Sequence, residues 1–149
     1  MQKIKKIVDL SHELKNGTVV YPGDPVVDIT VATVKEKDGY NLSNVHIGSQ
    51  SGSHVDGMEL SYSMGNALVI DASDKGEFEE ITLEDVKKYD RQMEKADIVL
   101  FRTDWYRYEG QDKFFRHPYL SAEAGAYLLD RGIQTLAIDA INLDRTGGT

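Results

Sequence analysis

From Asp28 to Val34 the chain sets Ile29, Val31 and Thr33 against Thr30, Ala32 and Val34. This period of two, rich in β-branched residues, predicts a strand. A shorter strand is expected at Ile4–Leu10, and another at Asn44–Ser49, where Val45 and Ile47 share a side. Between these segments, Tyr21-Pro22-Gly23-Asp24-Pro25 and Asp38-Gly39 read as turns, because proline sets φ and glycine tolerates positive φ. Further on, Ala67–Ala72 (ALVIDA) and Asp97–Thr103 (DIVLFRT) are compact apolar runs of the kind found in strands buried on both faces. Thr82–Tyr89 reads as a helix with Thr82 as N-cap and Glu84 and Asp85 in its first turn. Ser121 caps a helix that runs through Arg131 and closes at Gly132, and Gln134–Ala140 (QTLAIDA) returns as a strand. The last strand, helix and strand form a βαβ unit, with parallel strands and a right-handed crossover expected.

The connection from Asp104 to Leu120 is too long for a simple link and carries Trp105, Tyr106, Tyr108, Phe114, Phe115 and Tyr119. Such a loop is either a lid or binding wall, or a satellite apolar cluster that pins itself down. Trp105 and Tyr106, directly after the strand, are the candidate substrate contacts in the first case.

Composition narrows the function classes. The 149 residues, 40% hydrophobic, fit one domain with a continuous core, and no repeat or low-complexity tract interrupts them. Seventeen Lys and Arg against 25 Asp and Glu leave a net charge of −8, which disfavours nucleic acid as a partner. Without cysteine there is no disulfide or thiolate metal site, so a metal would have to be held by His, carboxylate or amide groups. No apolar stretch is long enough for a signal peptide or membrane span, so a cytoplasmic location is expected, and the sequons at Asn16 and Asn41 read as chance matches.

Chemistry concentrates in Gln50-Ser51-Gly52-Ser53-His54-Val55-Asp56. On an extended chain His54 and Asp56 leave the same face, Gln50 lies an even number of positions upstream, and Gly52 lets the backbone bend, so amide oxygen, imidazole and carboxylate can meet on one ion. Alone, H-x-D is common, and a partly exposed His bonded to a neighbouring Asp is the plainer reading. His12, His46 and His117 read as turn or packing residues.

Other segments add to that motif. Asp9-Leu10-Ser11-His12, the Tyr21–Pro25 turn, Gly39-Tyr40, LFRTDWYRY and HPYLSAEAGAYLLDRGIQTLAIDAINLD occur in an order that resembles the kynurenine formamidase and Putative cyclase family over nearly the whole chain. That family's signature, H-x-G-T-H-x-D-x-P-x-H, is matched by Gly52, Ser53, His54 and Asp56, with Gln50 at the first histidine, Met58 at the proline and Leu60 at the last histidine. MELSYSMGNALVIDAS resembles the family segment that lies beyond the signature and an additional loop, and the chain stops at Gly147-Gly148-Thr149, before the segment that in the family carries another histidine and a glutamate. The expectation is therefore a family domain lacking a loop after Asp56 and the C-terminal segment.

The resemblance implies an α/β fold of swivelling β/β/α type, a mixed sheet or barrel-like core with flanking helices. It implies a divalent metal, zinc or manganese, held by His54 and Asp56 with Gln50 as a weak neutral ligand. The implied activity is hydrolysis of amide-type C–N bonds, with N-formylkynurenine as model substrate, in a homodimer or larger homo-oligomer. No residue is assigned as proton shuttle. The competing expectations are a hydrolase of another cyclic amide and a noncatalytic relative that keeps only the scaffold.

Overall fold

The computed structural model describes residues 6–56 and 59–147. The chain divides into two compact units, Met1–Gly57 and Met58–Thr149.

In the first unit β1 (Asp28–Thr33) and β2 (Leu42–His46) form an antiparallel pair, with Ile29 opposite Val45 and Val31 opposite Ser43. A one-turn helix, α1 (Lys35–Asp38), joins them and ends at Gly39. The Tyr21–Pro25 turn is closed by the Asp24 amide donating to the Tyr21 carbonyl at 3.0 Å. The strand expected at 4–10 is absent over residues 6–10, which have no regular structure, while 4 and 5 lie outside the described residues. The strand expected at 44–49 runs from Leu42 to His46 instead, because residues 48–51 fold into a turn in which the Ser51 amide donates to the Gly48 carbonyl. The alternation in β1 does not translate into burial, since Val31 is 71% exposed.

The second unit is built on a parallel sheet of order β3 (Ala67–Asp71), β5 (Ile98–Arg102) and β7 (Thr135–Ile138). Between β3 and β5 the chain forms β4 (Glu80–Ile81), α2 (Leu83–Lys87) and α3 (Asp90–Met93). Between β5 and β7 it forms β6 (Tyr119–Leu120), parallel to β4, and α4 (Ala122–Asp130). Both β3–β5 and β5–β7 are thus parallel pairs with helical crossovers, the second being the expected βαβ unit. The mixture of antiparallel and parallel sheets with flanking helices is the α/β class expected.

Local chemistry explains the helix ends. Thr82 Oγ1 accepts from the Asp85 amide while the Asp85 carboxylate accepts from the Thr82 amide, a reciprocal box that satisfies otherwise orphaned donors. Ser121 Oγ accepts from the Ala124 amide, and Gly132, with φ of +84°, lets the chain leave α4 toward β7. Lys75 Nζ reaches Asp85 at 2.6 Å. Burial works against the Asp85 charge, but hydrogen bonds from Lys75, Lys88 and Thr82 outweigh it and hold the carboxyl well below the usual range.

The core gathers Ile70 from β3, Val99 and Phe101 from β5, Ile81 and Val86 from the first crossover, and Ala124 and Leu128 from α4. β3 is not buried on both faces: Ile70 is fully buried while Val69 is 50% exposed, as befits the edge position of β3 in the sheet.

His117 is completely buried. Its Nδ1–H donates to the Pro118 carbonyl at 2.7 Å, so Nε2 accepts from the Thr146 hydroxyl at 2.9 Å. Burial lowers its pKa against the opposing pull of the Pro118 bond, favouring the neutral ring. In the unfolded chain the ring takes up a proton as pH falls through its ordinary value near 6.5, while the folded chain resists. Stability is therefore expected to decline on acidification below about 6.5, and His117→Gln, measured by thermal melts across pH, should flatten that part of the profile.

Candidate metal and ligand sites

The turn at 48–53 sets up the first candidate site. Gly48 N–H donates to Ser51 Oγ at 3.1 Å, and the His12 amide donates to Ser53 Oγ at 3.1 Å, tying the loop to the N-terminal segment. Gly52 has φ of +70°, which favours glycine, and a Cβ there would stand 3.2 Å from Leu14 Cδ1, so the leucine end would have to give by a few tenths of an ångström.

That bend presents the Gly52 carbonyl to His54 Nδ1 at 2.9 Å. A carbonyl oxygen only accepts, so Nδ1 carries a proton, and in the neutral ring Nε2 keeps its lone pair. Nε2 lies 3.7 Å from Asp56 Oδ1. Two lone-pair atoms at this spacing repel unless a proton or a cation lies between them, and the spacing suits two donors each about 2.1 Å from a common ion. The pair thus supplies two donors of the kind a divalent metal takes. His54 is 29% and Asp56 77% exposed at the side chain, which leaves the pair open to water and small molecules.

Gln50 joins the cluster differently from the expectation. Its amide nitrogen donates to Asp56 Oδ1 at 3.0 Å, so in this arrangement it orients the carboxylate rather than offering its carbonyl to an ion. Residues 54–56 are not in a strand, and convergence comes from the turn before them rather than from the period of a sheet. Among the described residues no group of three or more His, Asp or Glu is placed to hold a metal. His46 lies on exposed β2 opposite Asp28, and His117 is consumed in packing.

The expected aromatic loop is largely structured. Two 3-10 turns, Trp105–Tyr108 and Asp112–Arg116, fill it before β6. Trp105 and Phe114 are buried, and Trp105 meets Tyr108 edge-on with centroids 4.9 Å apart. The satellite cluster is real, and it also walls a cavity of about 210 Å³ that Trp105, Tyr108, Lys113, Arg107 and Asp104 line together with the loop after β3. Tyr106 is 44% exposed and does not line that cavity.

Asp139, just after β7, anchors this wall and had no part in the expected site. Its Oδ1 accepts from the Thr103 amide at 2.7 Å and from the Thr103 hydroxyl at 2.5 Å, and its Oδ2 accepts from the Asp104 amide at 2.8 Å. Thr103 Oγ1 in turn accepts from the Trp105 amide at 3.2 Å. These bonds hold Asp104 at φ of +59°, an uncommon conformation for a residue with a Cβ. Asp139→Ala strands donors on buried Thr103 and is expected to cost about 1–3 kcal/mol of stability, with Asp139→Asn costing less, as read from denaturant midpoints.

Known structures share the fold of this chain. Isatin hydrolase A from Labrenzia aggregata, solved bound to benzyl benzoate, aligns with a TM-score of 0.80 at 19% identity, covering 96% of this chain and 71% of that one. The predicted metal-dependent hydrolase from Bacillus stearothermophilus aligns with a TM-score of 0.74 at 22% identity, covering 94% and 71%. The chain thus has the fold of these hydrolases. Its sequence matches the Putative cyclase family over residues 8–145, and the chain belongs to that family. The kynurenine formamidase of Bacillus cytotoxicus is 23% identical over 158 residues, covering 95% of this chain and 72% of the relative.

Proposed function

We propose that the protein is a metal-dependent hydrolase of amide-type C–N bonds, arylformamidase-like, with N-formylkynurenine as model substrate. The observation that carries this reading is the His54 ring held by Gly52 so that its bare nitrogen faces Asp56 at 3.7 Å. Family membership and the kynurenine formamidase relative supply the reaction class. His54 and Asp56 would hold the ion, zinc or manganese, with Gln50 steadying the carboxylate or turning its carbonyl to the ion as a third ligand. When bound, a divalent ion supplies ionised water near neutral pH and Lewis acidity toward a carbonyl. The chain's own contribution is orientation: Gly52 O fixes the imidazole tautomer, and the Gln50 amide donates to Asp56 Oδ1, the same oxygen that faces the ring, and so holds it in place.

The reading extends to Trp105 and Tyr106 as substrate contacts, to a cytoplasmic location and to a homodimer or larger homo-oligomer. Exposed Val31 and Val45 on one face of the β1–β2 hairpin support association with a second copy. Among the described residues no helix is long and apolar enough to cross a membrane.

The noncatalytic reading draws on the same cluster, in which His54 and Asp56 stand without a third His, Asp or Glu among the described residues. Hydrolysis of N-formylkynurenine and of a cyclic amide, each with and without chelator, separates the two. Turnover that chelator abolishes and added zinc or manganese restores is the expected result. A metal-free protein with no turnover on either substrate supports the scaffold reading.

A further inference from the structure

We propose that the cavity beside Trp105 is a binding site for a one-ring aromatic carboxylate. This rests on the reading of Trp105 as a ligand contact and requires no metal.

The cavity opens just past the carboxyl ends of the adjacent strands β3 and β5. Ser73 follows β3 by two residues, Asp104 follows β5 by two, and both line it. Trp105 and Tyr108 are locked edge-to-face at 62° and give it an aromatic wall of fixed geometry. The Asp139 bonds to Thr103 and Asp104 hold the backbone that carries this wall, so the site is preformed.

Lys113 supplies the recognition. Its side chain is 32% exposed, and its ammonium sits 3.9 Å from the Tyr108 ring centroid and 5.1 Å from that of Trp105. Among the described residues the one carboxylate within 4.0 Å is Glu77, at 3.9 Å, beyond hydrogen-bonding distance, and Glu77 is itself bonded to Arg116 at 2.7 Å. The other cations on the wall have closer partners: Lys75 reaches Asp85 at 2.6 Å, and Arg107 reaches Asp104 at 3.0 Å. A partly buried ammonium over two π-faces, with no carboxylate at hydrogen-bonding distance among the described residues, favours an incoming anion. Three cations, Lys75, Arg107 and Lys113, against two carboxylates, Glu77 and Asp104, leave the lining net positive on a chain of net charge −8. At about 210 Å³ the space is below the roughly 300 Å³ of pockets that take drug-sized ligands, so one ring with one acidic group matches it.

Trp105 is the only tryptophan, so its emission reports directly on the cavity. The full chain, stripped of metal by chelator, is titrated with benzoate, benzamide and sulfate, and Lys113→Met and Lys113→Arg are titrated alongside after thermal melts confirm that they fold. Expected is a saturable change in Trp105 emission with benzoate, at least about tenfold weaker for benzamide and for Lys113→Met, as loss of one charge-assisted bond requires. Lys113→Arg should retain most of the affinity. No saturable change with benzoate, equal binding of benzamide, full binding by Lys113→Met, or sulfate binding as tightly as benzoate would each overturn the proposal. Because the titration excludes metal, its failure leaves the hydrolytic reading standing, and loss of hydrolysis leaves this site standing.

Discussion

Replacing His54 by alanine is expected to weaken zinc or manganese binding by more than about 100-fold, because even outer partners of metal ligands are worth about 10–100-fold. The ring offers the imidazole nitrogen that the turn aims at Asp56. Gln50→Ala removes the bond to Asp56 Oδ1 and should cost about 10–100-fold if the side chain acts as an outer partner. The thermal midpoint of the metal-free protein should barely move in either variant, since the cluster is solvent-accessible and outside the buried core. Competition against a chromophoric chelator measures both. Undiminished affinity in His54→Ala would place any ion elsewhere.

Phe101→Ala carries the largest expected effect on stability, about 3–5 kcal/mol. Phe101 is 1% exposed on β5, the central strand of the parallel sheet, and belongs to the cluster that joins that sheet to α2 and α4. Its removal takes away apolar burial and leaves a cavity that strands paired on both sides cannot collapse to fill. Against a typical total of about 5–15 kcal/mol, a loss of that size puts the variant near the edge of folding. Denaturant titration should show a lower midpoint with an unchanged slope. Val69→Ala on the same sheet, half exposed at the edge, should change the midpoint far less.

Residues that act locally made much of the second unit legible in advance. Thr82 with Asp85, and Ser121 with Gly132, mark helix ends by chemistry that operates over three or four positions, and the helices appear there. ALVID and IVLFR read as strands because their composition suits a sheet, but the exposure of Val69 depends on β3 being an edge, which pairing order decides. The β4–β6 pair joins residues 39 positions apart through two-residue strands too short to show a period. The first unit was less legible, because apolar residues such as Ile7, Val8 and Leu10 suggest a strand by composition, yet residues 6–10 take no ladder partner in the fold.

The candidate site divides in the same way. His54 and Asp56 were identifiable from the motif, and Gly52 from its bend, but the tautomer depends on which atom Gly52 O meets. Gln50 read as a ligand because a carbonyl suits an ion, whereas the hydrogen bond to Asp56 uses its nitrogen. Asp139 and Lys113 act across 36 and 5 residues respectively, on Thr103 and Tyr108, through contacts that no spacing rule reveals.

The most direct measurement is two-bond proton–nitrogen NMR of the His54 imidazole, assigned with His54→Gln, before and after addition of zinc. A neutral ring protonated on Nδ1 is expected, with a bare Nε2 whose resonance moves to a metal-bound position at one equivalent. A ring protonated on both nitrogens at neutral pH, or an Nε2 resonance unmoved by excess zinc, would make His54 and Asp56 a simple ion pair and contradict the proposed chemistry.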